Sequence, residues 1–265
     1  MRLTVDHGGS RCRFDECDGS GFVVDTEART TRECRCRPER IAKAKARRLS
    51  SVIPKKYRHV SFATPPVTLI DDHVVRPVRQ YVRDLDANLD AGKGLWLTGD
   101  VGTGKTTLAM LISRAALERG RSVVIYSLPR LLAELRKTYD EGSDLSYLQL
   151  LDTLAAVDLL HVDDVGAERT SEWVLEQLYS IVNARYEEER ALLLTTNLKP
   201  DALTEQIGER TVSRIVEMCG DPLALFGEDH RKQVEIPAHL REPGRGAGAG
   251  RMAFVAPARY GEPPA

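Results

Sequence analysis

The stretch Leu95–Leu111, LWLTGDVGTGKTTLAML, carries the strongest signal in the chain. At its centre Gly99, Asp100, Val101, Gly102, Thr103, Gly104, Lys105 and Thr106 fit G-x-x-x-x-G-K-[ST], behind a strand-like apolar run and ahead of a helical pattern. Glycines let a backbone wrap closely around phosphate oxygens so that successive N–H groups point inward, and the following helix adds the positive end of its dipole. Residues 99–107, with Thr107 completing the cradle, therefore read as a nucleotide-phosphate site. In it Lys105 holds the β- and γ-phosphates and Thr106 ligates magnesium.

On either side of this loop, Leu95–Thr98, Ser122–Tyr126, Asp158–Val162 and Ala191–Thr195 are short apolar runs bounded by turn or helix signals. From about Val67 to Leu240 such runs alternate with helical periodicity. One example is TSEWVLEQLYSIVNARYEEER, where a Thr/Ser cap precedes a face of Val174, Leu178, Ile181 and Val182. The expected architecture is α/β, a parallel sheet covered by helices of the P-loop NTPase type.

Later motifs supply what phosphate chemistry needs. DLLHVDDVG ends a strand in Asp163 and Asp164, 58 residues after Lys105. This is the Walker B pattern: Asp163 enters the magnesium shell and Asp164 polarises the attacking water, at a position where ATPases more often place Glu. LLLTTNLKP offers Asn197 at a neighbouring strand tip, where it reaches the γ-phosphate and the attacking water or simply forms a turn before Pro200. IGERTVSRIVEM sets Arg210 and Arg214 at i, i+4 on one helical face, either solvated or acting across a subunit boundary on the transferring phosphoryl group. GEDHRKQ places Arg231 where it could reach the same phosphate in cis.

The 265 residues carry a net charge of −1, but residues 1–60 hold 15 Lys/Arg against 8 Asp/Glu. Nine basic residues between Arg37 and Arg58 face one acid, Glu39, which suits a nucleic-acid backbone, an acidic protein face or a solvated linker helix. MRLTVDHGGS has no apolar core of a signal peptide, and no run of about 18 apolar residues occurs. A cytoplasmic protein is expected. The domain reading is a cysteine module at 1–37, a basic helical connector at 38–60, the ATPase domain at 61–240, and a disordered tail at 241–265 with five Gly and four Pro.

Four of the five cysteines, Cys12, Cys17, Cys34 and Cys36, lie within 25 residues, with Cys219 alone in a core or loop position. Four thiolates complete a tetrahedral zinc site, and a module of this size cannot bury enough apolar surface to fold unaided. Gly19 and Gly21 allow a knuckle after Cys17, and a short hairpin through Phe22–Val24 returns the chain to Cys34. The spacings C-x4-C and C-x-C are unusual, so reduced cysteines in a flexible arm, or His7 or Asp15 replacing one ligand, stay open.

Taken in order, GDVGTGKT, LLHVDDVG, TTN, GERTVSR and GEDHRK resemble the AAA+ ATPases of the DnaC/DnaI helicase-loader and IstB transposition-helper group, over roughly residues 50–237. The resemblance implies Walker A at Lys105 and Thr106, Walker B at Asp163 and Asp164, and sensor 1 at Asn197. It further implies the arginine finger at Arg214 with Arg210 beside it, and sensor 2 at Arg231. IPKKYRHVSF resembles the segment that lies near the adenine in these proteins. The cysteine cluster resembles the N-terminal module of loader-like members, which IstB proteins generally lack. For function, the resemblance implies an ATP-, magnesium- and zinc-dependent switch that self-associates around ATP and grips single-stranded DNA. Its partner would be a DnaB-type hexameric replicative helicase or, in the IstB-like alternative, a transposase and duplex DNA.

Overall fold

The computed structural model describes residues 12, 14–25, 29–37, 40–41, 53–140, 146–166, 170–227 and 229. The tail, Arg231, His7 and most of the expected connector helix lie outside them. A small antiparallel hairpin, β1 (Phe22–Asp25) and β2 (Thr30–Glu33), comes first. After it the described elements are α1 (Asp72–Arg83), α2 (Leu85–Asp90), β3 (Leu95–Gly99), α3 (Lys105–Glu118), β4 (Val123–Ser127), α4 (Leu128–Lys137) and α5 (Tyr147–Ala156). They continue with β5 (Leu159–Val165), α6 (Glu172–Glu187), β6 (Ala191–Thr196), α7 (Pro200–Ile207), α8 (Glu209–Cys219) and β7 (Leu223–Leu225).

Strands β3 to β7 form one parallel sheet in the order β4-β5-β6-β3-β7. Side chains alternate faces along a strand, and this sheet is covered on both. Trp96, Val124, Tyr126, Leu160, Leu192 and Leu194 pack with Leu131, Leu154, Ile181 and Ile215 from α4, α5, α6 and α8. Their sequence neighbours Leu97, Val123, Ile125, Leu159, Ala191 and Leu193 face the other way, against Val78, Leu108 and Ile112 from α1 and α3. Ile53, Val60, Val67 and Ile70 join that second layer, so the segment IPKKYRHVSF packs beside the helix that follows the glycine loop.

The four expected strands are all present. β5 runs three residues beyond its expected end at Val162, because a register shift against β6 between Val162 and Val165 absorbs an irregularity and lets pairing resume. β7, a short strand beyond the four expected ones, pairs its three residues with β3 at the sheet edge. Helix starts follow capping chemistry: Asp71 accepts from the His73 N–H, Ser146 forms a capping box with Gln149, and Ser171 accepts from the Val174 N–H.

One buried cation braces the sheet. Arg185 on α6 is fully buried and donates to the carbonyls of Leu154, Ala155, Val157, Asp158 and Ala191. It thereby ties the end of α5 and the entry into β5 to the start of β6. Burial, then the neighbouring Arg190, push its pKa down to about 9. It remains charged at neutral pH.

Candidate functional site

The glycine loop leaves the C-terminal end of β3, where ligands bind in open parallel α/β sheets. Gly99 has φ +134°, and a Cβ there would fall 1.8 Å from the Leu225 carbonyl oxygen, so only glycine lets β7 close against this turn. Gly102, at φ +83°, lies under the Asp229 carboxylate; a Cβ would meet Oδ1 at 1.9 Å. Thr103 Oγ1 donates to the Asp100 carbonyl at 2.8 Å and tightens the loop. Val101 is exposed, Lys105 opens α3 and is buried, and Thr106 and Thr107 are half-buried in its first turn.

Lys105 Nζ donates to the carbonyls of Gly99 at 2.7 Å and Asp100 at 2.6 Å. The ammonium is thus folded onto its own loop. At the tip of β5, Asp163 accepts from Thr106 Oγ1 at 2.9 Å and from Thr195 Oγ1 at 2.6 Å. The Asp164 N–H donates to the same Thr195 hydroxyl at 2.8 Å, and Asn197 Nδ2 donates to Asp164 Oδ1 at 2.8 Å. Five polar side chains from α3, β5, β6 and the turn after it form one connected network. The expected residues Thr106, Asp163, Asp164 and Asn197 meet here; Thr195, which links the two aspartates, went unpredicted because its role needs the β5–β6 register.

Asp164 has φ +59° within the irregular part of β5. Such a backbone is uncommon outside glycine, and aspartate and asparagine tolerate it best. Burial penalises the Asp163 carboxylate, yet the nearby His161 imidazole and hydrogen bonds from Thr195 and Thr106 outweigh it and hold its pKa below the ordinary value. His161 is fully buried beneath, with Nδ1 2.9 Å from Ser113 Oγ on α3 and Nε2 3.9 Å from Asp163 Oδ1. A hydroxyl and an ionised carboxylate at this spacing form the oxygen-only donor set that magnesium takes.

Arg210 is exposed and Arg214 half-buried on α8. The Arg214 guanidinium carbon lies 4.9 Å from the Tyr179 ring and 5.5 Å from the Tyr186 ring, both on α6. Neither arginine joins the Asp163–Asn197 network of its own chain. Arg231 lies outside the described residues.

The N-terminal hairpin carries a second candidate site. The sulfurs of Cys12 and Cys34, and those of Cys17 and Cys36, are 3.6 Å apart, and all four lie within 4.8 Å of one another. Tetrahedral zinc with Zn–S bonds of about 2.3 Å separates its sulfurs by ~3.8 Å, so the donor set fits. Burial raises the Cys12 thiol, but the N–H groups of Cys17, Phe14 and Glu16 outweigh it and bring it down to about 6. Cys36 moves upward, first through burial and then through its three sulfur neighbours. Four thiolates this close need a cation. Of the two alternative ligands, Asp15 is exposed outside the cluster, and His7 lies outside the described residues. Cys219 is half-buried against the sheet, its thiol 3.4 Å from the Leu192 carbonyl.

A five-stranded parallel sheet with a glycine loop between β3 and α3, and acidic and amide side chains at the neighbouring strand tips, defines a P-loop NTPase of the AAA+ type. The family model described as IstB-like ATP binding protein matches residues 76–218, and the chain belongs to that family. The replicative helicase loader DnaC of Escherichia coli strain K12 is 33% identical over 137 residues, 52% of this chain and 54% of that protein. DnaC of Buchnera aphidicola subsp. Schizaphis graminum is 26% identical over 142 residues, 54% of this chain and 56% of that one. The chain thus spans about half the length of the curated relatives it matches. Among solved structures, the DnaC helicase loader superposes with a TM-score of 0.57 at 28% identity, covering 66% of this chain and 100% of that one. DnaI superposes with a TM-score of 0.54 at 26% identity, covering 67% and 96%. Among the described residues no helix is long and apolar enough to cross a membrane.

Proposed function

We propose that this chain is an ATP-dependent loader of a hexameric replicative helicase of the DnaB type onto single-stranded DNA. The observation that carries the reading is the connected network of Thr106, Asp163, Thr195, Asp164 and Asn197 beside the glycine loop, in a chain similar to DnaC. Residues 99–107 cradle the ATP phosphates, with Lys105 leaving its two carbonyls to pair with the β- and γ-phosphates. Thr106 and Asp163 hold magnesium, whose charge offsets the charge developing on the phosphates. Asp164, positioned by Asn197, orients the attacking water and accepts its proton. Arg214, with Arg210 beside it, reaches the nucleotide of a neighbouring subunit, so that hydrolysis changes how subunits pack, and Arg231 reaches it in cis.

Cys12, Cys17, Cys34 and Cys36 hold zinc, which cross-links the hairpin that engages the helicase. The family match itself favours a second reading, an IstB-like helper that binds duplex DNA and a transposase. The cysteine cluster weighs against it, since the resemblance ties that module to loaders. Pull-downs from cell extract with wild type and a Cys34→Ser/Cys36→Ser variant separate the two. Recovery of a hexameric helicase by wild type alone supports loading; recovery of a transposase overturns it. Lys105→Ala abolishes ATP binding, whereas Arg214→Ala retains binding and loses ATP-dependent assembly.

A further inference from the structure

Arg214 has an uncommon setting for an arginine at a helix surface. Glu217 lies three residues on along α8, a spacing at which opposite charges pair. Yet Arg214 makes no ion pair among the described residues. Its Nε is buried without a hydrogen-bond partner, and its guanidinium is stacked on Tyr179 and Tyr186. The Glu217 carboxylate is taken elsewhere: it accepts from Tyr186 Oη at 2.8 Å. The three side chains border an open groove completed by Glu209, Arg210 and Ser213.

We infer that Tyr186 is a positioning residue for Arg214, holding the guanidinium by its ring while its hydroxyl keeps Glu217 from neutralising it. Both functions come from one side chain, because α6 and α8 pack side by side. The ring fixes an otherwise long, rotamer-rich side chain in one place, at the modest gain of an exposed cation–π contact. The hydroxyl removes the competing carboxylate. What the groove then presents is an arginine whose charge meets no carboxylate among the described residues, suited to a phosphoryl group brought by a second copy. This rests on the reading of Arg214 as the arginine that acts across the subunit boundary.

Three variants of the full chain test it, with ATP-dependent assembly and turnover read beside ATP affinity. Tyr186→Phe keeps the ring and frees Glu217; turnover in the assembled state falls about 1.5- to two-fold with ATP affinity unchanged, the size of an exposed helical ion pair. Adding Glu217→Gln to Tyr186→Phe restores wild-type turnover, because no carboxylate remains to compete. Tyr186→Leu loses the ring as well, falls about five-fold, and is only partly restored by Glu217→Gln. If Tyr186→Phe matches wild type, or if Glu217→Gln fails to restore it, the positioning role is wrong. Arg214→Ala keeps the two levels apart: should it assemble and turn over like wild type, the boundary reading itself fails, whatever the tyrosine variants do.

Discussion

The cysteine hairpin and the parallel sheet are held together by different forces. In the hairpin every residue of β1 and β2 is exposed or half-buried, and among the described residues there the buried side chains are Cys12, Cys34 and Cys36. Its surface is finished by arginines stacked on phenylalanines, Arg35 on Phe14 at 4.8 Å and Arg37 on Phe22 at 4.2 Å. In the sheet, β6 is buried along its whole length and β3 and β5 nearly so, between two apolar layers. One region puts its stability into a few sulfur atoms, the other spreads it over dozens of side chains. A single change should therefore be decisive in the first and graded in the second.

The largest effect is expected for Cys34→Ser/Cys36→Ser. Metal binding in modules of this kind contributes on the order of 10 kcal/mol, so zinc content should fall from one per chain to none and residues 12–37 should become protease-sensitive. The melting temperature of the ATPase domain should stay put; a matching fall would mean the two regions are not independently stabilised. Next comes Arg185→Ala, which deprives four buried carbonyls and one part-buried one of their donor and should cost about 3–5 kcal/mol in denaturant unfolding without altering zinc content. Smaller again, Thr195→Val removes the hydroxyl shared by Asp163 and the Asp164 backbone. About 1–3 kcal/mol of stability should go with it, together with weaker magnesium dependence of ATP binding by titration calorimetry. Least of all, Val24→Thr on the exposed face of the hairpin should shift neither melting nor zinc content, within about 0.5 kcal/mol.

Much of this was legible in the sequence, for a physical reason. Buried parallel strands and a glycine loop are local patterns: Leu95–Thr98 and the GDVGTGKT run announce themselves without knowledge of what surrounds them. Asp163, Asp164 and Asn197 were legible as strand-end polar residues, and the structure joins them as neighbours. Thr195 was not, since a threonine closing an apolar strand looks like any other until β5 and β6 are in register. The same holds for His161 against Ser113, a contact made 48 residues apart through packing of α3 on β5. Tyr186 was hidden in the helical face pattern of α6, where its spacing says nothing of the carboxylate it holds on α8. β7 was too short for alternation to show.

The bend in β5 has a consequence for how this chain can change. At φ +59° Asp164 occupies a left-handed backbone position, which aspartate adopts more readily than most residues. A change to the commoner glutamate thus carries a backbone cost, though one that the chain already bears at Glu189, where φ is +48°. The shape of the strand therefore biases this position towards aspartate without closing it to glutamate.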